Sequence, residues 1–182
     1  MDVLTAIRRR REITRFLPEP IEPETLEAVL EAAYLSPTGN HLPSREFIVV
    51  TDKAMLARLS RTTPYMPWLK EAAAGLVVTG RPDVSKYWLH DASIACGYIW
   101  LASVHLGLGA AFGAVYHAED AIESERRENF VRQALSVPGD RRIVAIMGLG
   151  YPAQTPPPKT PMPREDIIFY ERFADEKTPG ID

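Results

Sequence analysis

An α+β fold, a mixed β-sheet flanked by helices, is what this sequence predicts, and three observations carry the prediction. Four short apolar runs bounded by turn residues read as strands. Several other segments repeat apolar residues at helical spacing. The two kinds alternate without the clean βαβ repeats of a parallel sheet, which favours a mixed one. With 182 residues, 46% of them hydrophobic and 25% charged, the chain has globular composition and fills one domain, residues 1–182.

The elements follow in order. Asp2 suits the cap of a short helix whose apolar face is Val3, Leu4 and Ile7, and four consecutive arginines, Arg8 to Arg11, close it. Pro23 suits a first helical position, and Leu26, Val29, Leu30 and Ala33 recur at helical spacing before the turn cluster Ser36-Pro37-Thr38-Gly39-Asn40. Phe47 to Thr51 reads as a buried strand, followed by a short helix through Met55 and Leu59. The aromatic, proline-bounded Pro64-Tyr65-Met66-Pro67-Trp68 reads as a loop, and Leu76 to Thr79 as a second strand. Tyr87 to Leu106 is the longest helical stretch and is apolar nearly all round, which belongs at the centre of an assembly or against a partner subunit. Gly107-Leu108-Gly109 stops it. Ala110 to Tyr116 is a third strand, Glu123 to Leu135 a charged surface helix with Phe130, Val131 and Leu135 inward, and Ile143 to Leu149 a fourth strand. Residues 152–182 form an extended, proline-rich arm. Its Ile167-Ile168-Phe169-Tyr170 is too apolar to be spent on water, so the arm docks on a core or a partner.

Composition excludes several classes. A net charge of −3 gives no bias toward nucleic acid or membrane, and no apolar run approaches the roughly 20 residues of a membrane span. The start Met1-Asp2-Val3 lacks the basic-then-apolar order of a secretory signal. Cys96 stands alone in an apolar stretch, where it packs; no internal disulfide can form, so the expected compartment is the cytoplasm. His41, His90, His105 and His117 lack metal-ligand spacing, and no metal site is expected.

Two segments carry candidate chemistry. The guanidinium groups of Arg8 to Arg11 suit a phosphate, whose oxygens their planar forks match. The same run also serves as a basic helix end balancing its own dipole, or as a nucleic-acid patch, though no second basic cluster supports the last. In Ser36 to Pro43, Thr38 and Asn40 offer short-reach hydrogen bonds to a polyhydroxyl chain or to the polar edge of a ring. Taken alone it is an ordinary helix-to-strand connection.

In this order and separation, Arg10-Arg11-Glu12-Ile13-Thr14-Arg15-Phe16 and Pro37-Thr38-Gly39-Asn40-His41-Leu42-Pro43-Ser44 resemble the opening motifs of the nitroreductase family. The likeness continues through Trp88 to Ala95, Gly107 to Phe112, Leu149-Gly150-Tyr151-Pro152 and Tyr170-Glu171-Arg172-Phe173, so it covers nearly the whole chain. Glu12 stands where the family usually has Ser, Thr14 where it often has Arg or Lys, Leu42 in place of Gln and Ser44 in place of Trp.

The resemblance implies a nitroreductase-like fold and a homodimer that binds FMN between its subunits, with the C-terminal extension docked on the partner. It implies a phosphate held by Arg10, Arg11 and a tail cation, Lys159 or else Arg164. Glu12 must then turn away from the phosphate or pair with an arginine, and Thr14 lies alongside. Pro37, Thr38, Asn40 and Leu42 would line the ribityl chain or the ring, and Phe112, Gly113, Ala114 and Val115 would pass its N5 edge. Gly113 and Ala114 are small enough for close backbone approach, or simply for core packing. His41, Tyr65 and Trp68 are the candidates for an acceptor pocket, with Met66 in the same wall as Tyr65 and Trp68; the alternative for the aromatic loop is packing on the partner. No catalytic side chain is expected, because the flavin carries the redox step itself.

The implied activity is transfer of a hydride from NAD(P)H, through flavin N5, to a nitroaromatic, quinone or similar conjugated small-molecule acceptor. The rival readings are a non-catalytic flavin-binding or scavenging protein and a basic nucleic-acid interaction module.

Overall fold

The computed structural model describes residues 1–173; the last part of the predicted arm, 174–182, lies outside the described residues. Four strands, β1 (Arg45–Val50), β2 (Ala74–Gly80), β3 (Gly109–Ala114) and β4 (Arg142–Gly150), form one sheet in the order β1-β2-β4-β3. All three pairings are antiparallel. The parallel contribution is a single bridge of Glu12 with Ala110, on the outer edge of β3. An α+β fold with helices on both faces is therefore what forms.

Among the described residues five α-helices surround the sheet: α1 (Val3–Arg9), α2 (Pro23–Tyr34), α3 (Lys53–Leu59), α4 (Trp88–His105) and α5 (Ala121–Leu135). Each sheet face carries its own core. On one, Val29 and Ala33 of α2 and Ala92, Cys96 and Ile99 of α4 cover Leu76, Val78, Met147 and Leu149. On the other, Leu56 and Leu59 of α3 and Val131 of α5 meet Val77, Ala111, Ile143 and Ile146. The central strands β2 and β4 are consequently buried along almost their whole length. Cys96 packs as expected, and burial pushes its thiol up to about 12, far from a reactive thiolate.

Several expectations need correction. The strand predicted over 47–51 is β1, which is an edge strand and only half-buried, because it pairs with β2 alone and leaves Val49 outward. Helix α1 inverts its predicted face: Asp2 caps it, accepting from the Thr5 N–H at 3.0 Å, but Ala6 packs inward while Val3, Leu4 and Ile7 stay exposed. The small residue wins because α1 lies close on α4. The 64–68 loop runs into a 3-10 turn over Pro67–Glu71. Helix α5 buries Ser124, Arg127 and Glu128 as well as Val131, leaving Phe130 and Leu135 half-buried. The apolar residues of the arm do not reach this chain's own core: Ile167, Tyr170 and Phe173 are all exposed.

Candidate functional site

The segment Arg10–Leu17 lies across the ends of β3 and β4. The Ile13 N–H donates to Ala110 O, the Leu17 N–H to Tyr151 O, and the Ala153 N–H to Arg15 O. Ile13 and Phe16 enter the core there, and two glycines make room for them. A Cβ on Gly109 would stand 2.6 Å from Ile13 Cγ2, and one on Gly150 2.8 Å from Phe16 Cδ1. This laying-down fixes where Arg10 and Arg11, at its start, emerge.

The arginines divide the work. Arg11 spends Nε on Pro157 O at 3.2 Å and Nη1 on the carbonyls of Arg8, Arg9 and Arg10, so it caps the end of α1 and ties the arm to it. That is the dipole-balancing role weighed from the sequence. Arg10 instead lies over the Trp100 ring, 4.5 Å from its centroid. Lys159 joins them from the arm, donating from Nζ to Ile7 O at 2.9 Å. Its ammonium is held below the usual lysine range, first by partial burial and then by the positive charges of Arg10 and Arg11. Three cations thus gather at one spot and repel one another.

Glu12 turns away from them. Its carboxylate accepts the Phe112 N–H at 2.9 Å, on the outer edge of β3. Burial holds that carboxyl above its ordinary range, against the opposing pull of the Phe112 N–H and the Arg10 charge. Phe112 and Ala114 share the outward backbone edge, since alternate residues of a strand point the same way. Gly113 and Val115 belong to the core: Met66 Cε occupies the space a Gly113 side chain would need, and the Val115 N–H donates to Val144 O. In this chain the end of Met66 packs against that glycine.

Thr14, Tyr65 and Trp68 come together along a cleft of about 580 Å³, with Arg15 and Lys70 on its walls. Trp68 is half-buried, donates to Tyr65 O at 3.1 Å and fills the space above Gly148; Tyr65 is 80% exposed, and Met66 turns inward beneath β3.

The loop bearing Pro37, Thr38, Asn40, His41 and Leu42 stands elsewhere. Asp91, in the first turn of α4, is buried and accepts the Gly39 N–H at 3.0 Å and the Ser44 hydroxyl at 2.5 Å. Arg45 donates to the Ser36 hydroxyl at 2.9 Å, to the Tyr34 carbonyl at 2.9 Å and to the Ser36 carbonyl. Between these pins Asn40 and His41 both take left-handed backbone, with φ of 56° and 57°. Two such residues in succession are uncommon outside glycine and persist only where neighbours enforce them. The sequence marked Ser44 only as a departure from the motif and did not point to Asp91 or Arg45; an acid inside an apolar helix was the signal available. Trp100, which carries Arg10, lies roughly 13 Å further along α4 than Asp91. One chain therefore brings Arg10, Arg11, Glu12, Phe112 and Lys159 together and leaves the 37–42 loop apart.

Similarity to known proteins extends over most of the chain. The profile described as "Nitroreductase family" matches residues 7–63, the stretch from α1 to just beyond α3. A relative from Methanothermobacter thermautotrophicus, named "Putative NADH dehydrogenase/NAD(P)H nitroreductase", is 33% identical over 159 residues, 86% of this chain and 80% of its own length. The chain belongs to the nitroreductase family. Among solved nitroreductases, a Bacteroides thetaiotaomicron protein carrying the same name superposes with a TM-score of 0.85 at 30% identity, covering 93% of this chain and 97% of that one. An FMN-dependent nitroreductase from Clostridium difficile gives the same TM-score at 28% identity, over 93% and 99% of the two chains. The chain has Glu12 where the resemblance led one to expect Ser, and the bond from the Phe112 N–H holds that carboxylate on the edge of β3.

Proposed function

We propose that this nitroreductase is an FMN-dependent NAD(P)H oxidoreductase acting as a homodimer on a small conjugated acceptor. The observation that carries the reading is the gathering of Arg10, Arg11 and Lys159 beside the outward edge of β3. The donor set suits a phosphate dianion: guanidinium and ammonium groups crowd together, and Glu12, the acid nearest them in sequence, directs its bond to a backbone amide instead. Arg10 and Lys159 would hold the phosphate of an FMN whose N5 would supply hydride-transfer chemistry between NAD(P)H and a nitroaromatic, quinone or similar acceptor.

The residues of this chain supply position and shelter. Arg10 and Lys159 hold the phosphate, with Arg11 fixing the backbone from which Arg10 projects. Glu12 locks residues 10–13 to β3, and Ala114 leaves its backbone edge open toward a ligand. Thr14, Tyr65 and Trp68 line the neighbouring cleft in which a flat acceptor would lie. Since Thr38 and Asn40 stand apart from Arg10 within one chain, they serve the flavin anchored by a second copy. The outward Val3, Leu4 and Ile7 of α1, Ile94 and Tyr98 of α4, and the apolar residues of the arm are surface that such a copy would cover. The chain acts as one domain, with an arm that begins at residue 152. Among the described residues no helix is long and apolar enough to cross a membrane. The single, buried Cys96 suits a cytoplasmic enzyme.

The test is a visible absorption spectrum of the purified protein, before and after addition of FMN, followed by NAD(P)H under anaerobic conditions. We expect the bands of a bound oxidised flavin, bleached by NAD(P)H and restored by a quinone. Lack of any flavin band at saturating FMN would refute the reading. A bound flavin that NAD(P)H leaves coloured would favour a carrier.

A further inference from the structure

We propose that Trp100 is a positioning residue for the anion clamp, holding the Arg10 guanidinium by its ring face so that the N–H donors of Arg10 stay free for a phosphate. The inference rests on the FMN reading above, in which Arg10 is a phosphate ligand.

An arginine can be held in place by a carboxylate or by a ring. A carboxylate consumes two N–H donors and neutralises the charge, which would spoil an anion site. A ring face attracts the positive charge through its quadrupole and needs none of the hydrogens. Arg10 takes the second course: its guanidinium carbon lies 4.5 Å from the Trp100 centroid, and among the described residues its side chain makes no hydrogen bond and no ion pair. Arg11, by contrast, is spent on carbonyls.

The ring is itself fixed on two sides. Trp100 Nε1 donates to Arg11 O at 3.1 Å, so the tryptophan fastens the backbone immediately after Arg10 as well as its side chain. Its other neighbour is Phe112, stacked with centroids 6.4 Å apart and ring planes 9° apart. Phe112 is tied in turn, through its N–H, to Glu12. Helix α4, strand β3 and the Arg10–Glu12 segment therefore converge on one half-buried indole at the rim of the core. A plain core filler has no need of a hydrogen bond to that backbone or of a cation on its ring.

The experiment compares binding of FMN and of riboflavin, which lacks the phosphate, by flavin-fluorescence titration of protein freed of bound flavin. The proteins are the wild type, Arg10→Ala, Trp100→Leu, Trp100→Phe and the Arg10→Ala/Trp100→Leu double variant. Trp100→Leu is expected to weaken FMN about three- to tenfold while leaving riboflavin unchanged. In the Arg10→Ala background it should add nothing. Trp100→Phe keeps a ring under the guanidinium and should retain most of the FMN preference, and it serves if the leucine variant does not fold. Equal weakening of FMN and riboflavin by Trp100→Leu, or an undiminished effect without Arg10, would overturn the inference while leaving the FMN reading intact. No preference for FMN over riboflavin in the wild type, or none lost in Arg10→Ala, would overturn the role of Arg10 as phosphate ligand, and this inference with it.

Discussion

At the scale of single residues, the space left by an absent side chain does two different things in this protein. Gly109 faces Ile13, a β-branched side chain anchored in the core, with its Cβ and Cγ2 both under 3.0 Å from where an added methyl would stand. Gly113 faces the flexible end of Met66, which can swing aside. Gly109→Ala is therefore expected to cost about 1–3 kcal/mol and to lift the Arg10–Phe16 segment off β3, whereas Gly113→Ala should cost less than about 1 kcal/mol. Urea unfolding of the two variants checks this; similar midpoints would contradict it. From the sequence Gly109 belonged to a helix stop and Gly113 to a strand of small residues, and neither showed what it would face. Only the identity of the opposing atom separates them.

At the scale of elements, helix α4 organises both halves of the site. Its first turn supplies Asp91 to the 37–42 loop, and a later turn supplies Trp100 to Arg10. Asp91 is buried and engages two donors from outside its own helix, so Asp91→Ala leaves the Gly39 N–H and the Ser44 hydroxyl without their acceptor. The expected cost is about 1–3 kcal/mol. The readable consequence is local: hydrogen exchange should quicken in residues 38–44 well before it does in β2 or β4. Unchanged protection of that loop would show that Arg45 alone suffices to hold it. The apolar character of α4 was legible in the sequence, but which of its polar residues was structural was not. An acid within an apolar helix becomes informative only when its partners, here more than forty residues away, are known.

At the scale of the whole molecule, the join between α5 and β4 makes one contribution to acid stability. Glu128 is buried and accepts from Ser124 Oγ at 3.0 Å, from Arg142 Nε and Nη2 at 2.9 and 2.7 Å, and from the Ile143 N–H at 2.9 Å. Arg142 also lies over Tyr116 and Trp88, 4.9 and 5.6 Å from their centroids. Burial alone would raise the Glu128 carboxyl; the bonds from Arg142, Ile143 and Ser124 outweigh it and hold the group below its usual value of 4.5. A carboxyl depressed in the folded state contributes stability that is fully present above 4.5 and is lost as pH falls through its lower folded value. We expect Glu128→Gln to lower stability at pH 7 by about 1–3 kcal/mol and to flatten the loss of stability below pH 4.5. Denaturant midpoints measured from pH 3 to 7 test both parts, and an unchanged slope in acid would sink the assignment.

Sequence alone determined the order and kind of nearly every element, because apolar periodicity and turn chemistry are local properties. It also determined the family resemblance, because the motifs Arg10–Phe16 and Pro37–Ser44 are contiguous. Tertiary structure decided which way the faces turned: Ala6 inward instead of Val3, Leu4 and Ile7, β1 at an edge instead of in the core, Met66 beneath Gly113 instead of in a pocket wall. It also decided which of the adjacent Arg10 and Arg11 keeps its donors free. The physical reason is common to all of these. A side chain's role depends on the atoms across from it, and those come from parts of the chain that periodicity cannot connect.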